Sequence, residues 1–402
     1  MQIPFNASPT SSLGVEWELQ LVDRETRELT SGATEILDAL SPSGEHPTAK
    51  KELLQSTIEV ITGVCSSVPE AMADLQSTLD QVVPLAAERG LGLMCSGTHP
   101  VTSWQTQQIS NDPRYAKLID DMQWLARRMQ IFGVHVHVGV RSPDKAIAIV
   151  NALSAYIPHF LALSASSPYW VGADTGLASA RSKVFEGLPT AGLPQQLDDW
   201  AQFESYMETL IKTRTISSIK EVWWDIRPHP TYGTVELRIS DGLPTIAEVS
   251  MVAALSQCIV DTLDREVDKG YTLPRPRRWV VQENKWRAAR YGLDADIIVG
   301  EDSVSPVRHE LRELVQDLRS SAARLGCDAE LDLVEQVLEG GGSYARQRAV
   351  AAASGGDLTA VVDSLLAEFD AGAPIWLPAR EPAAALGELG AAGATSGGGG
   401  GS

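Results

Sequence analysis

The chain has 402 residues, of which 44% are hydrophobic and 21% are charged. These proportions are ordinary for globular proteins and exclude a collagen or a wholly disordered chain. Acidic residues number 52 and basic residues 33, which gives a formal charge of -19 and argues against binding to nucleic acids or anionic membranes, since both need a positive field.

The first part of the chain predicts strands that alternate with helices. Apolar and polar residues alternate in the strand-like runs, and helix-start signals such as Ser67 before Pro69, or Ser142 before Pro143, open the longer helical runs. In chain order we predict a strand at 13–22, a helix at 34–40, a strand at 53–62, a helix at 67–89, a strand at 91–96, a helix at 112–130, a strand at 131–140 and a helix at 142–164.

The second part of the chain predicts a hairpin followed by helices. A helix at 203–213 precedes two strand-like runs at 221–227 and 234–240. The segment between these runs contains proline and glycine, as is typical of the turn of an antiparallel hairpin. Helical periodicity then predicts helices at 245–268, 276–291, 306–325, 328–338 and 357–370.

The order of these elements bears on the fold class. Strands linked by helices are compatible with a parallel sheet. The hairpin and the strands with one polar face favour an open, largely antiparallel sheet in an α+β fold instead. The polar face of that sheet is then the expected site.

The composition changes near the C-terminus. From Ala371 the chain is rich in alanine, glycine, proline and glutamate and ends in a Gly-Ser run. Such a composition cannot bury enough apolar surface to fold. We therefore expect a single catalytic domain over 1–372 and a disordered tail over 373–402.

Cysteine usage and the absence of targeting signals predict the location of the protein. The four cysteines are widely separated, so they predict neither a zinc site nor a disulfide framework and are expected to be small buried side chains. The N-terminal residues lack the basic and apolar regions of a signal peptide, and no uninterrupted apolar run reaches about 18 residues. We expect a cytoplasmic protein that binds no membrane.

Three pairs of residues, each two positions apart in a predicted strand, indicate a ligand-binding face. Side chains two positions apart in a strand project from the same face. Carboxylates and imidazoles on one face suit a divalent cation, and the planar donors of arginine suit a carboxylate or a phosphate. The pairs are Glu16 with Glu18, His135 with His137, and Glu236 with Arg238.

Each pair also has a plain structural explanation. Glutamates on a strand, Glu52 and Glu59 included, are usually solvent-exposed, and a Glu-x-Arg pair is by default a structural ion pair. The two histidines lie in a strongly apolar strand, where an unpaired buried polar group costs about 1–3 kcal/mol. One of them could be a satisfied core histidine, but ligation or phosphate contact explains both better.

Two further arginines are candidates for binding a substrate carboxylate. Arg181 lies near the glycine-containing loop at 187–192, and Arg227 follows Trp223-Trp224-Asp225. Either could equally be an ordinary loop arginine.

Several common catalytic motifs are absent from the sequence. There is no GxxxxGK[ST] phosphate loop, no GxSxG nucleophile elbow and no HExxH metal motif. A bound nucleotide would therefore be held by metal and side chains rather than by a glycine-rich loop.

The paired residues fall in segments that resemble the glutamate-cysteine ligase type 2 family, the carboxylate-amine ligases of the glutamine synthetase-like superfamily. Together these segments are specific, and they extend over about residues 13–350. They are GVEWE at 14–18, ELLQSTIEVITG at 52–63, GVHVHVG at 133–139, VELRISD at 235–241 and ENKWRAARYGLD at 283–294.

The resemblance implies a curved antiparallel sheet that forms a funnel, with helices outside, ATP at one end, amino-acid substrates at the other and Mg²⁺ or Mn²⁺ between them. It implies that His137 contacts nucleotide phosphate. It also implies that Arg238 contacts phosphate or substrate and takes part in catalysis with Glu236 and Glu59. The implied metal ligands are Glu16, Glu18, Glu52, Glu59, His135 and Glu236.

The implied reaction joins a carboxylate to an amine. The carboxylate attacks the γ-phosphate of ATP to give an acyl phosphate, and the amine then displaces phosphate, which asks the protein mainly for positioning and charge neutralisation. Family membership implies L-glutamate and L-cysteine as substrates and γ-glutamylcysteine as product. Another amine or carboxylate is an alternative, and a homo-oligomer is an open alternative to a monomer.

Two other functions are less favoured. A metal-dependent amide hydrolase would also use an HxH pair with carboxylates, but the oxygen-rich ligand set favours Mg²⁺ or Mn²⁺ over the zinc of such enzymes. A binding protein without turnover is disfavoured because decay would be expected to break at least one member of the set.

Overall fold

The computed structural model describes residues 1–42 and 45–376. Within these residues the strands are β1 (Leu13–Asp23), β2 (Ala49–Lys51), β3 (Thr57–Ile61), β4 (Leu91–Met94), β5 (Val134–Gly139), β6 (Tyr169–Trp170), β7 (Ala173–Asp174), β8 (Ile226–His229), β9 (Thr234–Leu237), β10 (Asp296–Ile298) and β11 (Val304–Pro306). Seven of them form one sheet in the order β2-β3-β1-β5-β9-β8, with β4 also paired to β1.

Helices make up most of the rest of the described chain. They are α1 (Ala33–Leu40), α2 (Val68–Ala87), α3 (Pro113–Met122), α4 (Trp124–Arg127), α5 (Pro143–Leu153), α6 (Ile157–Ser164), α7 (Ala180–Phe185), α8 (Trp200–Lys212), α9 (Ile246–Asp268), α10 (Arg278–Tyr291), α11 (Val307–Leu325), α12 (Asp328–Gly340), α13 (Ser343–Ala353) and α14 (Leu358–Ala371).

The sheet has the predicted antiparallel character. Every strand pair in the main sheet is antiparallel. The predicted hairpin is the β8–β9 pair, in which Arg227 faces Glu236. The expected α+β fold with an open antiparallel sheet is confirmed.

Several helices begin at the residues that the sequence predicts. The Ser67 hydroxyl accepts a hydrogen bond from the Glu70 amide at the start of α2. The Ser142 hydroxyl does the same for the Lys145 amide at the start of α5. In each case the capping side chain satisfies a backbone donor that the first helical turn leaves free.

Two predicted helices are each divided in the structure. The helix at 112–130 is α3 and α4, separated by Gln123, whose φ of 48° lies outside the helical region. The helix at 142–164 is α5 and α6, joined by a 3₁₀ turn at 154–156. Pro158 explains the second division, because it has no N–H to donate to the carbonyl of Ser154.

Other boundaries also differ from the prediction. The strand predicted at 53–62 begins only at Thr57, and Glu52 lies just beyond the end of β2 rather than on a strand. The short helix α7 and the helix α13 are not predicted, since α13 is rich in alanine, arginine and glutamine and has no clear apolar stripe. These differences change where Glu52 and Arg181 lie, and both still reach the polar face.

One hydrophobic core contains side chains from Leu13 in β1 to Leu366 in α14. All six residues of β5 are buried within the sheet. The four cysteines are free and buried, as expected. The domain boundary at 372 stays a prediction, and most of the predicted tail, residues 377–402, lies outside the described residues.

Two helical segments are apolar and long enough to cross a membrane, Pro143–Ser164 and Ile246–Asp268. In each, 83% of the most apolar window is buried inside the protein. Such burial is typical of core helices, and α9 in particular packs in the main core. The predicted cytoplasmic location stays a prediction.

Candidate active site

The predicted polar residues occupy one row across the sheet. In an antiparallel ladder, residues directly opposite each other project to the same face. The strand register therefore brings together side chains that are far apart in sequence. The facing pairs are Glu18 with Glu59, Glu16 with His135, His137 with Glu236, and Glu236 with Arg227.

This row forms part of the wall of a cavity of about 510 Å³. A cavity of this size is typical of a small-molecule site. All of the residues proposed from the sequence line it, namely Glu16, Glu18, Glu52, Glu59, His135, His137, Arg181, Arg227, Glu236 and Arg238. The structure thus brings the complete predicted set together, although the role of each residue stays a prediction.

Seven of these side chains form three overlapping groups that could each hold a metal ion. In each group, one ligand atom from every member lies within 4.8 Å of the others. Carboxylates predominate, as suits Mg²⁺ or Mn²⁺. The groups are Glu18, Glu52 and Glu59; Glu16, Glu59 and His135; and Glu16, His137 and Glu236.

The first group is an unusually crowded set of carboxylates. Burial, and then the neighbouring charge of Glu52, raises the pKa of Glu18 to about 7. Burial also raises the pKa of Glu59 well above its usual range, with Glu52, Glu16 and Glu18 adding to the effect. Like charges held close together in a buried site favour either a proton or a cation. The donor set therefore fits a divalent metal.

Glu16 lies between the two histidines. His135 Nδ1 is 3.0 Å from Glu16 Oε2, and His137 Nε2 is 3.2 Å from Glu16 Oε1. Burial would raise the pKa of Glu16, but His137 and His135 hold it well below its usual range. Burial, assisted by Arg238, lowers the pKa of His135 to about 4, so His135 is neutral at pH 7, as a metal ligand must be.

His137 has a different environment from His135. Its Nδ1 is 3.0 Å from the Thr234 hydroxyl. Its buried Nε2, although close to Glu16, makes no well-aligned hydrogen bond within the described residues. Burial lowers the pKa of His137, but the charges of Glu236 and Glu16 outweigh that effect and raise it. The imidazole Nε2 therefore lies beside the Glu16 carboxylate, at the wall of the cavity.

Glu236 is held by two arginines. Arg227 Nε lies 2.7 Å from one carboxylate oxygen and Nη2 lies 3.2 Å from the other, while Arg238 Nη1 contacts the same carboxylate. Burial would raise the pKa of Glu236, but Arg227 and Arg238 keep it well below its usual range. Because Arg227 also donates to two backbone carbonyls, few of its donors are free for a substrate.

Arg181 makes fewer hydrogen bonds through its guanidinium than Arg227 does, and its Nη1 lies 4.0 Å from the Asp241 carboxylate. Its side chain is buried, and it donates to the carbonyls of Ile239 and Arg238 at 3.3 Å. Its Nε has no hydrogen-bond partner within the described residues. A side chain at Gly133 would collide with this guanidinium, so the absence of a Cβ there creates the space that Arg181 occupies.

Two groups of residues in or beside the site escape prediction. His229 and Tyr232 stack at a ring-centroid distance of 4.3 Å, and the His137 ring is 5.4 Å from His229. In the sequence these two residues are typical only of a hairpin turn. Lys285 is the other case, a buried cation 2.6 Å from Asp225 and 2.7 Å from Glu186. Its position within a matching family segment is the one signal that could have identified it.

Most of the sequence matches known proteins closely. The sequence profile of glutamate-cysteine ligase family 2 (GCS2) matches residues 12–364. A protein of Frankia alni, provisionally named glutamate–cysteine ligase 2-1, is 62% identical over 379 residues, which cover 93% of this chain and 99% of that protein. A protein of Thermobifida fusca, provisionally named glutamate–cysteine ligase 2, is 55% identical over 378 residues, covering 93% of this chain and 94% of that protein.

Two solved structures share the fold at low sequence identity. Glutamate–cysteine ligase from Francisella tularensis, in complex with AMP, has a TM-score of 0.67 and 12% identity and covers 91% of this chain and 90% of that one. A bifunctional glutathione synthetase from Pasteurella multocida has a TM-score of 0.65 and 14% identity and covers 90% of this chain and 52% of that one. The glutamine synthetase-like fold is thus confirmed. Since the family profile spans most of its length, the chain belongs to glutamate-cysteine ligase family 2.

Proposed function

We propose that this protein is an ATP-dependent carboxylate-amine ligase, with L-glutamate and L-cysteine as the nominal substrates. The observation that carries the proposal is the row of carboxylates, histidines and arginines across one sheet face, at the wall of a single cavity. Such a row supplies charge neutralisation and positioning, which are the main demands of phosphoryl transfer. Membership of the family, and the AMP in the Francisella structure, support nucleotide use.

The residues that would hold Mg²⁺ or Mn²⁺ are Glu16, Glu18, Glu52, Glu59, His135 and Glu236. When bound, these cations would offset the charge of the ATP phosphates and favour attack by a substrate carboxylate. The fit rests on the crowded carboxylates: burial and the neighbouring carboxylates raise the pKa of Glu18 and of Glu59, so a bound cation would be favoured there.

The nucleotide would lie at the end of the cavity that contains His137. His137 Nε2 lies 3.2 Å from Glu16 without a well-aligned hydrogen bond to it, and would be a suitable donor to a phosphate oxygen. Beyond it, the stacked rings of His229 and Tyr232 offer a flat surface to a base, and Tyr232 is 57% exposed. This arrangement orients ATP with its phosphates toward the carboxylates.

The arginines would act on the reacting groups. Arg238 lies beside Glu236 and His135, where its charge would stabilise the phosphoryl group during transfer. Glu236 holds Arg238 and Arg227 in place through direct ion pairs. Arg181, with its unpaired Nε, would bind the carboxylate substrate. An amine would then displace phosphate from the acyl phosphate to form the amide.

The test is release of ADP by the purified protein with ATP and Mg²⁺. We expect release that depends on both a carboxylate and an amine, together with an amide product detected by mass spectrometry. The variant Glu236→Gln should abolish release while the far-UV circular dichroism stays unchanged. No ADP with any acceptor would contradict the proposal, and amide hydrolysis without ATP would indicate the metal-dependent hydrolase instead.

A further inference from the structure

The two ends of the cavity differ in chemistry. One end contains His137, His229 and Tyr232, and the carboxylate row lies in the middle. The cavity wall also contains a set of apolar side chains, which lie among charged ones such as Lys117, Asp121 and Glu221 and which we call the apolar chamber: Leu118, Met122, Met129, Phe185, Leu188 and Trp223. We propose that this chamber binds the body of an apolar or aromatic amine, so that the acceptor is larger and less polar than cysteine.

The strand directions show that the chamber lies opposite the His137 end. β5 runs from Val134 toward His137, and β9 runs antiparallel to it, away from Thr234. Residues that precede β5 or follow β9 therefore lie at the other end of the sheet face. Of the chamber residues, Met129 precedes β5, and Trp223 precedes β8, whose Ile226 pairs with Leu237 at the end of β9.

The chamber residues have no role in the hydrophobic cores. None of the six belongs to either core cluster of the described chain, or to the half-buried side chains packed against those clusters. Phe185 and Leu188 are nonetheless buried, and the other four are half-buried. Apolar side chains that line a cavity without joining a core are typical of a binding site for an apolar ligand.

One wall of the chamber comes from α3 and the residues after it. Within α3 only Tyr115 is buried, yet Leu118 and Met122 turn an apolar stripe toward the cavity rather than toward a core. The left-handed backbone at Gln123 ends α3 and redirects the chain toward Met129. Methionine side chains adapt to varied apolar shapes, so this wall suits ligands of more than one outline.

The facing wall is held in place by hydrogen bonds. The Trp223 amide donates to the Thr190 carbonyl at 3.2 Å, and the Thr190 hydroxyl donates to the Glu221 carbonyl at 2.6 Å. Lys285, through Asp225 and Glu186, fixes the segments that carry Trp223 and Phe185. This wall is therefore formed before any ligand arrives, which reduces the entropic cost of binding.

The position of the chamber suits an acceptor. On α3, which carries Leu118 and Met122, the Tyr115 hydroxyl lies 3.4 Å from the Glu52 carboxylate. The chamber therefore adjoins the carboxylates, where an amino group must lie to reach the acyl phosphate. A small polar amine such as cysteine would leave most of the apolar surface uncovered. A pocket of this kind discriminates by about 10–200-fold for each methylene group that it covers.

The experiment rests on the proposed function and compares amines within two pairs of equal charge, L-cysteine with L-phenylalanine and ethylamine with phenylethylamine. The purified full chain is incubated with ATP, Mg²⁺ and a carboxylate donor, which is L-glutamate or a mixture of acidic amino acids. Each reaction also contains one of four amines: L-cysteine, ethylamine, phenylethylamine or L-phenylalanine. We expect kcat/KM for the arylalkylamines to exceed that for cysteine and ethylamine by about tenfold or more. Amide product is identified by mass spectrometry.

A chamber variant and a control variant on the same helix test whether the preference for arylalkylamines arises from the chamber. Met122→Ser should lower kcat/KM for phenylethylamine by about tenfold and leave KM for ATP unchanged. Ala116→Ser is the control, since Ala116 is exposed on the same helix and does not line the cavity. If cysteine and ethylamine react at least as well as the arylalkylamines, the inference about the chamber is wrong, but the proposed ligase function is still supported. If no amine yields product, the proposed function fails and the inference fails with it.

Discussion

Glu16 and His135 face each other directly across the β1–β5 ladder, and the Glu16 carboxylate lies 3.0 Å from His135 Nδ1. The two residues are 119 positions apart in the sequence. Their contact follows from the strand register alone, because opposite residues in an antiparallel pair share a face. A slip of either strand by one residue would turn the side chain on that strand to the other face and separate the pair.

If the cluster of Glu18, Glu52 and Glu59 binds Mg²⁺, the metal should raise the free energy of unfolding as well as support activity. At about 100 times its dissociation constant, Mg²⁺ should stabilise the wild type by about 2.7 kcal/mol. Glu59→Gln removes one carboxylate from this crowded cluster. Without metal, the variant should be at least as stable as the wild type. Mg²⁺ should stabilise the variant much less than it stabilises the wild type. Thermal unfolding with and without Mg²⁺ measures both quantities.

Glu88→Gln is the control for this experiment, since Glu88 is an exposed residue at the end of α2 and does not line the cavity. Its response to Mg²⁺ should equal that of the wild type. An equal response from Glu59→Gln would show that Glu59 is not a metal ligand.

Substitution of His137 and of His135 should have different effects, the first on KM for ATP and the second on metal affinity. His137→Asn should raise KM for ATP by about tenfold, because the ring nitrogen proposed to donate to the phosphate is lost. His135→Asn should instead weaken metal binding, measured by Mn²⁺ titration. Since His137 also groups with Glu16 and Glu236, a loss of Mn²⁺ affinity in His137→Asn equal to that in His135→Asn would make His137 a metal ligand.

Sequence patterns predict the sheet and the metal-type residues well, because the period-two alternation of β1, β5 and β9 is local information. Glu16, His135 and Glu236 could be identified in this way. The roles of His229 and Tyr232 could not, since their stacking depends on how the hairpin turn folds back beside His137. The break at Gln123 also depends on tertiary contacts, because nothing in its local sequence requires a positive φ.

Substitution of Lys285 should lower the free energy of unfolding by a large amount. Its ammonium is 2% exposed and pairs with Asp225 and Glu186. Lys285→Met would leave the Asp225 carboxylate buried without its cation, and breaking a buried pair in this way costs about 3–5 kcal/mol. Because the Asp225 carbonyl accepts the Arg238 amide at 2.8 Å, activity should fall as well.

Urea unfolding measures the change in the free energy of unfolding. Lys212→Met, at an exposed lysine of α8, should change it by less than about 1 kcal/mol. A loss of less than about 1 kcal/mol in Lys285→Met would show that the Asp225 carboxylate is adequately solvated without the lysine.

The buried imidazole of His99 should make the free energy of unfolding depend on pH. This effect does not involve the active site. It is fully buried, and its Nδ1 accepts hydrogen bonds from the amides of Val101 and Thr102. Burial lowers its pKa from 6.5 to about 3. Between these values the unfolded chain binds a proton that the folded chain does not, so stability falls as the pH decreases from 6.5 toward 3, by up to about 1.4 kcal/mol per pH unit.

His99→Asn should remove this contribution, because the asparagine oxygen can accept the same two amides and does not titrate. We expect the unfolding free energy of the variant, measured in urea from pH 7 to pH 4, to fall less steeply with decreasing pH than that of the wild type. His309→Asn, at an exposed histidine, should follow the wild-type curve. Parallel curves for His99→Asn and the wild type would mean that other buried groups account for the acid sensitivity and that His99 is protonated in the folded state without cost.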